Sequence, residues 1–91
     1  MTVVYRRTAS FDQEELEDEL VVMETESQAV VTLNPTGQMV WEAIADDATA
    51  EDIEAVFRAA FPDIDPAALR RDVHDVLDTL VAADLAIVGE G

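Results

Sequence analysis

The sequence predicts a small α+β domain, and three observations carry that expectation. The first third is made of β-branched and apolar runs. The remainder opens three times on residues that start helices. The last of those segments is long and amphipathic. Strands followed by helices, rather than alternating with them, point to a sheet packed on helices.

Two runs define the strands. "ELVVME" (Glu19 to Glu24) and "QAVVTL" (Gln28 to Leu33) are separated by Thr25, Glu26 and Ser27. A polar gap of that length between β-rich runs reads as an antiparallel hairpin. An earlier strand is expected between Val3 and Glu15. There "TVVYRR" has the better propensity and "SFDQEE" lies closer to the hairpin, and the residues do not choose between them. "DQEELEDE" (Asp12 to Glu19) reads as a solvated run that includes the turn into the Glu19 strand. It lacks the spacing and central Gly of a calcium loop.

Three helix starts follow. Asn34 is a good N-cap and Pro35 suits the first helical position. Met39, Val40, Ala43 and Ile44 recur at helical spacing, with Trp41 in the core or at its rim, and the helix is expected to end near Asp46 or Asp47. "TAED" (Thr49 to Asp52) resembles a capping box, with Asp in place of Glu or Gln. Ile53, Val56, Phe57 and Ala60 form its apolar stripe, and "FPDIDP" breaks it. Asp65 then caps a third helix, with Pro66 first and Ala83 near the end. At about 100° per residue, Leu69, Val73, Val76 and Leu80 share one line, read as the core face. Leu77 and Val81 lie to one side of it, beside Arg70 and His74. This lopsided shoulder either meets another part of the fold or waits for a partner. "LAIV" (Leu85 to Val88) is expected to pack on the core as a short tail. The whole is an α+β, winged helix-turn-helix-like arrangement: a three-stranded antiparallel sheet followed by three helices.

At 91 residues, one domain spanning 1–91 is expected. Roughly 64% of the surface of the unfolded chain is buried at this size, enough for one aliphatic core but not for a deep active site as well. The charge excludes more. Twenty-one acidic residues face five Arg, a net charge of -16. Nucleic acid and anionic membrane are repelled by such a surface, and basic partners are attracted. There is no Cys, hence no disulfide, thiolate metal site or cysteine nucleophile. "MTVVYRRTAS" is no signal peptide and no apolar run reaches membrane-spanning length, so a cytoplasmic location is expected. The three Gly form no phosphate loop, and no cofactor or metal is expected. His74 is the only His, and catalysis by it would need a nucleophile or a substrate within hydrogen-bond reach. No enzyme is therefore expected.

One segment stands out on physical grounds. "AVVTL" (Ala29 to Leu33) has no Pro, Gly, Lys or charge to blunt an open strand edge. Such an edge can accept another chain, including a second copy, so a dimer through it is a further expectation.

"LNPTGQMVWEAI", with "ALRRDVHDVLDTLVAADL" downstream, resembles the PqqD-like family, the recognition elements of ribosomally synthesised, post-translationally modified peptide pathways. The resemblance covers nearly all of Glu19 to Val88. It implies that the leader segment of a precursor peptide adds as a strand along the third strand, in the cleft bordered by the third helix. It also implies that the domain does no chemistry and delivers the peptide to a separate modifying enzyme or leader peptidase. Lasso-peptide pathways use free-standing versions of this length. Members often carry Gly before the final Leu, where Asp84 stands here. Mapped onto this chain, the peptide is expected to pair with the backbone of Ala29, Val30, Val31, Thr32 and Leu33. Ala29, Val31 and Leu33 would point inward and Val30 and Thr32 outward. Arg70, Val73, His74, Leu77 and Val81 are the expected cleft wall. A second reading from the same fold is an acidic winged-helix regulator that acts through protein partners or as a DNA mimic.

Overall fold

The computed structural model describes residues 2–90. They form five strands and three helices: β1 (Val3–Arg7), β2 (Phe11–Leu16), β3 (Glu19–Glu24), β4 (Val30–Leu33), α1 (Pro35–Ala43), α2 (Ala50–Ala60), α3 (Pro66–Ala82) and β5 (Ala86–Glu90). β2, β3 and β4 make the three-stranded antiparallel sheet, in that order. The fold is thus the α+β, winged-helix-like arrangement read from the sequence, with one addition.

The addition is a second sheet. Both segments that competed for the first strand are strands. Phe11–Leu16 pairs with β3, whereas Val3–Arg7 pairs antiparallel with β5, Tyr5 lying opposite Val88. Of the "LAIV" tail, Leu85 and Ala86 are buried in the core as expected, whereas Ile87 and Val88 are exposed on the two-stranded ribbon. The Tyr5 N–H also donates to the Ala48 carbonyl at 2.8 Å, and the Ala48 N–H donates back at 3.0 Å, tying the ribbon to the start of α2.

The local signals work as their chemistry dictates. The Asn34 side chain accepts the Gly37 N–H at 2.9 Å, and Pro35 follows it at the first helical position. The capping box is complete: Thr49 Oγ1 accepts the Asp52 N–H at 3.0 Å, and Asp52 accepts the Thr49 N–H at 3.1 Å. Asp65 accepts the Ala67 N–H at 3.3 Å. α1 ends earlier than expected, at Ala43 with Ile44 as its cap. α3 ends at Ala82, and Asp84 takes a left-handed φ of 61°. The Asp84 N–H donates to Val81 O at 3.0 Å and the Leu85 N–H to Leu80 O at 2.9 Å. This is a Schellman end, with an apolar pair, Leu80 and Leu85, both fully buried. Asp fills here the place that Gly fills with less strain.

The inner face of the sheet meets the helices. Leu20, Val22, Val31 and Leu33 point inward and are buried against Val40 and Trp41 of α1 and Val73, Leu77 and Leu80 of α3. Trp41 is fully buried, and its Nε1–H donates to Gln13 Oε1 at 3.0 Å. Phe11 meets the indole edge to face, centroids 5.0 Å apart. The Arg7 guanidinium stacks 4.4 Å from the indole, and its Nε donates to the Trp41 carbonyl at 2.9 Å. Burial lowers the Arg7 pKa, while Glu42 opposes the shift. Arg7 thereby ties β1 to the helix that carries the three-stranded sheet. On α2 the stripe departs from expectation at two places: Val56 is half exposed and Ala60 is exposed, whereas Glu54 is buried, with Arg58 and Arg70 each 3.8 Å from its carboxylate.

Candidate functional site: an open strand edge beside α3

β4 is an edge strand. β3 pairs with one side of it, and among the described residues no strand pairs with the other. Which backbone groups it offers follows from one bond. The Glu24 N–H donates to the Ala29 carbonyl at 2.9 Å. In an antiparallel ladder, hydrogen-bonded and non-hydrogen-bonded pairs alternate. The register Met23↔Val30, Val22↔Val31, Val21↔Thr32, Leu20↔Leu33 then gives Val31 and Leu33 to β3. Val30 and Thr32 aim their N–H and C=O groups outward. Pairing of a guest with all five residues is thus corrected: alternation leaves Val30 and Thr32 as the donors and acceptors on the open side. Ala29 lies outside the strand, next to Gln28, which has a φ of 63°.

The side-chain alternation matches expectation. Val31 and Leu33 are buried, whereas Thr32 and Val30 are exposed, the latter by 57%. The start of the strand is held by Glu24, whose carboxylate accepts the Ser27 N–H at 2.7 Å and the Glu26 N–H at 3.1 Å. These bonds hold its pKa below the usual carboxylate value. Fixing this loop fixes where the edge begins.

Beside the open edge lies a groove of about 390 Å³. Val31, Thr32, Leu33 and Asn34 line one wall, and Asp75, Val76 and Thr79 of α3 the other. Glu19 and Gly37 complete it. Gly37 has a packing reason: a Cβ there would lie 3.0 Å from Leu33 Cδ2, so Gly lets the first turn of α1 sit against the strand. Thr79 turns its hydroxyl back to the Asp75 carbonyl at 2.9 Å.

The flank of α3 that forms this wall is opposite to the one read from the sequence. Val73 and Leu77 are fully buried and back the wall from within the core. Val76, placed on the core line by periodicity, is half-buried and lines the groove. Arg70 turns to Glu54 of α2. His74 faces a separate hollow with Val3, Tyr5 and Glu51. Val81 packs partly against the core and is not among the groove residues. Both flanks of α3 carry apolar residues; α2, whose Glu54 meets Arg70, and β1, whose Val3 and Tyr5 share a hollow with His74, settle which flank is covered. The missed residues are Glu19, Gly37, Asp75, Val76 and Thr79; Val76 and Thr79, three apart, were the available signal.

Among the described residues no group of three His, Asp or Glu side chains is placed to hold a metal ion. No helix there is long and apolar enough to cross a membrane.

These features define a winged-helix-like α+β domain with a vacant strand edge facing a helix-walled groove. The chain belongs to the PqqD family: residues 19–86 match the family described as coenzyme PQQ synthesis protein D. No curated protein sequence matches it. Two solved structures share the fold. One is TbiB1 in complex with the TbiA(beta) leader peptide, with a TM-score of 0.77 and 20% identity, covering 94% of this chain and 98% of that one. Another is lasso peptide synthetase B1 complexed with the leader peptide, with a TM-score of 0.74 and 16% identity, covering 91% and 96%.

Proposed function

We propose that the protein is a leader-peptide recognition element that binds the leader segment of a ribosomally made precursor by strand addition to β4. The observation that carries this reading is the pair of outward-facing backbone stations, Val30 and Thr32, beside the groove walled by Val76 and Thr79. Main-chain hydrogen bonds give affinity without regard to sequence, and the groove selects alternate side chains. Val31, Leu33 and Val76 supply an apolar floor for the inward side chains of the guest. Arg70, His74 and Val81 take no direct part in this reading, and Val73 and Leu77 act through the wall they support. Two proteins of this fold are solved with leader peptides bound, which favours the same guest here.

The role is delivery, not chemistry. The site offers backbone groups and aliphatic surface, with no nucleophile paired to a base. A separate modifying enzyme or leader peptidase, in a lasso-type pathway, acts on the bound precursor in the cytoplasm. The acidic-regulator reading has only the net charge in its favour and leaves the groove unused.

A leader that is disordered when free loses chain entropy on binding, which sets affinity in the micromolar to nanomolar range. Glu19 and Asp75 at the groove favour basic residues flanking the apolar anchors. The experiment is an anisotropy titration of a labelled leader segment, from a precursor encoded beside this chain, at low and high salt. Saturable binding that weakens with salt is expected. Absence of binding at both ionic strengths would remove the reading.

A further inference from the structure

The α3 wall of the groove does not end at Asp75 and Val76. One helical turn earlier, at Asp72, a second and smaller hollow of about 230 Å³ begins. Thr36, next to Gly37 in the first turn of α1, lines it with Asp72. Phe57 and Leu69, both buried, form its floor, and Phe61 and Ile64 complete it. Phe61 is half exposed, so much of its ring is open to a partner. Two backbone bonds fix the loop that holds it. The Phe61 N–H donates to the Phe57 carbonyl at 2.7 Å, and the Ile64 N–H donates to the Phe61 carbonyl at 3.1 Å. Asp65 then caps α3. The hollow is thus built before anything enters it.

We propose that this hollow is a second recognition site for the same precursor, taking one large apolar side chain, aromatic or branched, from the leader just N-terminal to the residues paired with β4. The proposal rests on the leader-binding reading above. Continuity identifies the occupant. A guest added antiparallel to β4, the more stable pairing, runs past Leu33 toward its own N-terminus. There it follows the α3 stripe Thr79, Val76, Asp75 and Asp72, which lines first the groove and then the hollow. From Val76 to Asp72 and Leu69 is about 6 to 10 Å along the helix, which two or three residues of extended guest span. Size agrees: a cavity of about 150 Å³ holds a benzene ring, so the hollow has room for one large side chain but not for a helix. Asp72 lines the hollow, Asp63 and Asp65 stand in its loop, and among the described residues no Arg lines it. A Lys or Arg beside the apolar anchor is therefore favoured. A second copy of this chain would bring a net charge of -16 against the same charge.

The second site supplies selectivity that the ladder lacks. Main-chain bonds to Val30 and Thr32 are the same for any guest sequence. The groove reads the guest side chains opposite Leu33 and Val31, and the hollow adds a third at a set spacing. A guest already held on β4 presents that third side chain at high effective concentration. A leader that suits the ladder but lacks the anchor binds more weakly.

The test is a double-mutant cycle by anisotropy, with the full chain and the labelled leader of the precursor encoded beside it. Alanine replaces each leader residue in turn, against the wild type and against Phe61→Ser. F61S is expected to melt near the wild type, because Phe61 is half exposed, and to bind the leader about tenfold more weakly. One apolar leader residue, two or three positions before the groove anchors, is expected to cost about tenfold in the wild type and nothing further in F61S. Asp72→Arg, at an exposed position, reverses a rim charge without touching the core and decides the matter should F61S lose its fold. It is expected to weaken binding at low salt, and a leader Lys or Arg beside the anchor is expected to lose its contribution there. Wild-type affinity in both variants, or a scan in which no leader residue couples to Phe61 or Asp72, would overturn the second site. Weakened binding by Thr32→Pro in the same series would show that the ladder stands without it. Sedimentation of the wild-type chain as a dimer that F61S dissolves would also overturn it, giving the hollow to a second copy. Failure of the wild-type chain to bind the leader would instead remove the underlying reading.

Discussion

The Glu24 N–H donates to the Ala29 carbonyl at 2.9 Å, and that bond sets the phase of the whole β4 edge. With Glu24 and Ala29 a hydrogen-bonded pair, Val31 and Leu33 are spent on β3, and Val30 and Thr32 face the groove side. A one-residue slip would exchange these roles and turn Val31 and Leu33 out of the core. The same residue that fixes the phase also holds the loop before the strand.

That loop makes the edge sensitive to acid. Bonds from the Ser27 and Glu26 N–H groups hold the Glu24 carboxyl below its ordinary value of 4.5. The folded state therefore binds this proton less readily than the unfolded state. Its contribution to stability is complete above about pH 5 and is lost as pH falls through the depressed folded value. Glu24→Gln is expected to melt below the wild type at pH 7 and to converge with it on acidification. Melting curves from pH 7 to pH 3 check this, and a constant gap between the two would contradict it.

The two flanks of α3 separate binding from folding. Val76 is half-buried and lines the groove, whereas Leu77 is fully buried. Val76→Asp is expected to keep the fold and to weaken leader binding by roughly tenfold or more. Leu77→Asp places an unpaired carboxylate in the core and is expected to lose about 4 kcal/mol or more. Circular dichroism with melting, run beside the titration, distinguishes the two. Equal melting temperatures for both variants would contradict the assignment of flanks.

Much of this was legible in the residues. The hairpin of β3 and β4, the caps at Asn34, Thr49 and Asp65 and the unblunted edge all rest on local chemistry, which short stretches carry in full. The pairing of Val3–Arg7 with Ala86–Glu90 was not legible, because its partners lie at opposite ends of the chain and leave no local pattern. Nor was the flank of α3. Val76 on one side and Leu77 and Val81 on the other are equally apolar, and only the placement of α2 and β1 decides which is covered. The buried Glu54 shows the same limit: its place in the α2 stripe depends on Arg58 and on Arg70 from another helix.

The end of α3 offers a gain in stability. Asp84 holds a φ of 61° within the Schellman turn. Gly adopts that conformation without the Cβ clash, although it loses more chain freedom on folding. Asp84→Gly is expected to stabilise the protein by a few tenths to about 1 kcal/mol. Chemical denaturation at constant slope checks this. A loss of stability would mean that the Asp side chain holds the turn in some other way.

The most direct measurement is leader titration of two proline variants of β4. Thr32→Pro removes an N–H that points away from β3, at an exposed edge position where proline is tolerated. Val31→Pro removes an N–H used in the β3 ladder, at a buried position. T32P is expected to melt near the wild type and to lose leader affinity by roughly tenfold to a hundredfold, the worth of one unmet hydrogen bond of about 1–3 kcal/mol. V31P is expected to lose stability first. A folded T32P that binds the leader as tightly as the wild type would show that no guest strand zips onto this edge.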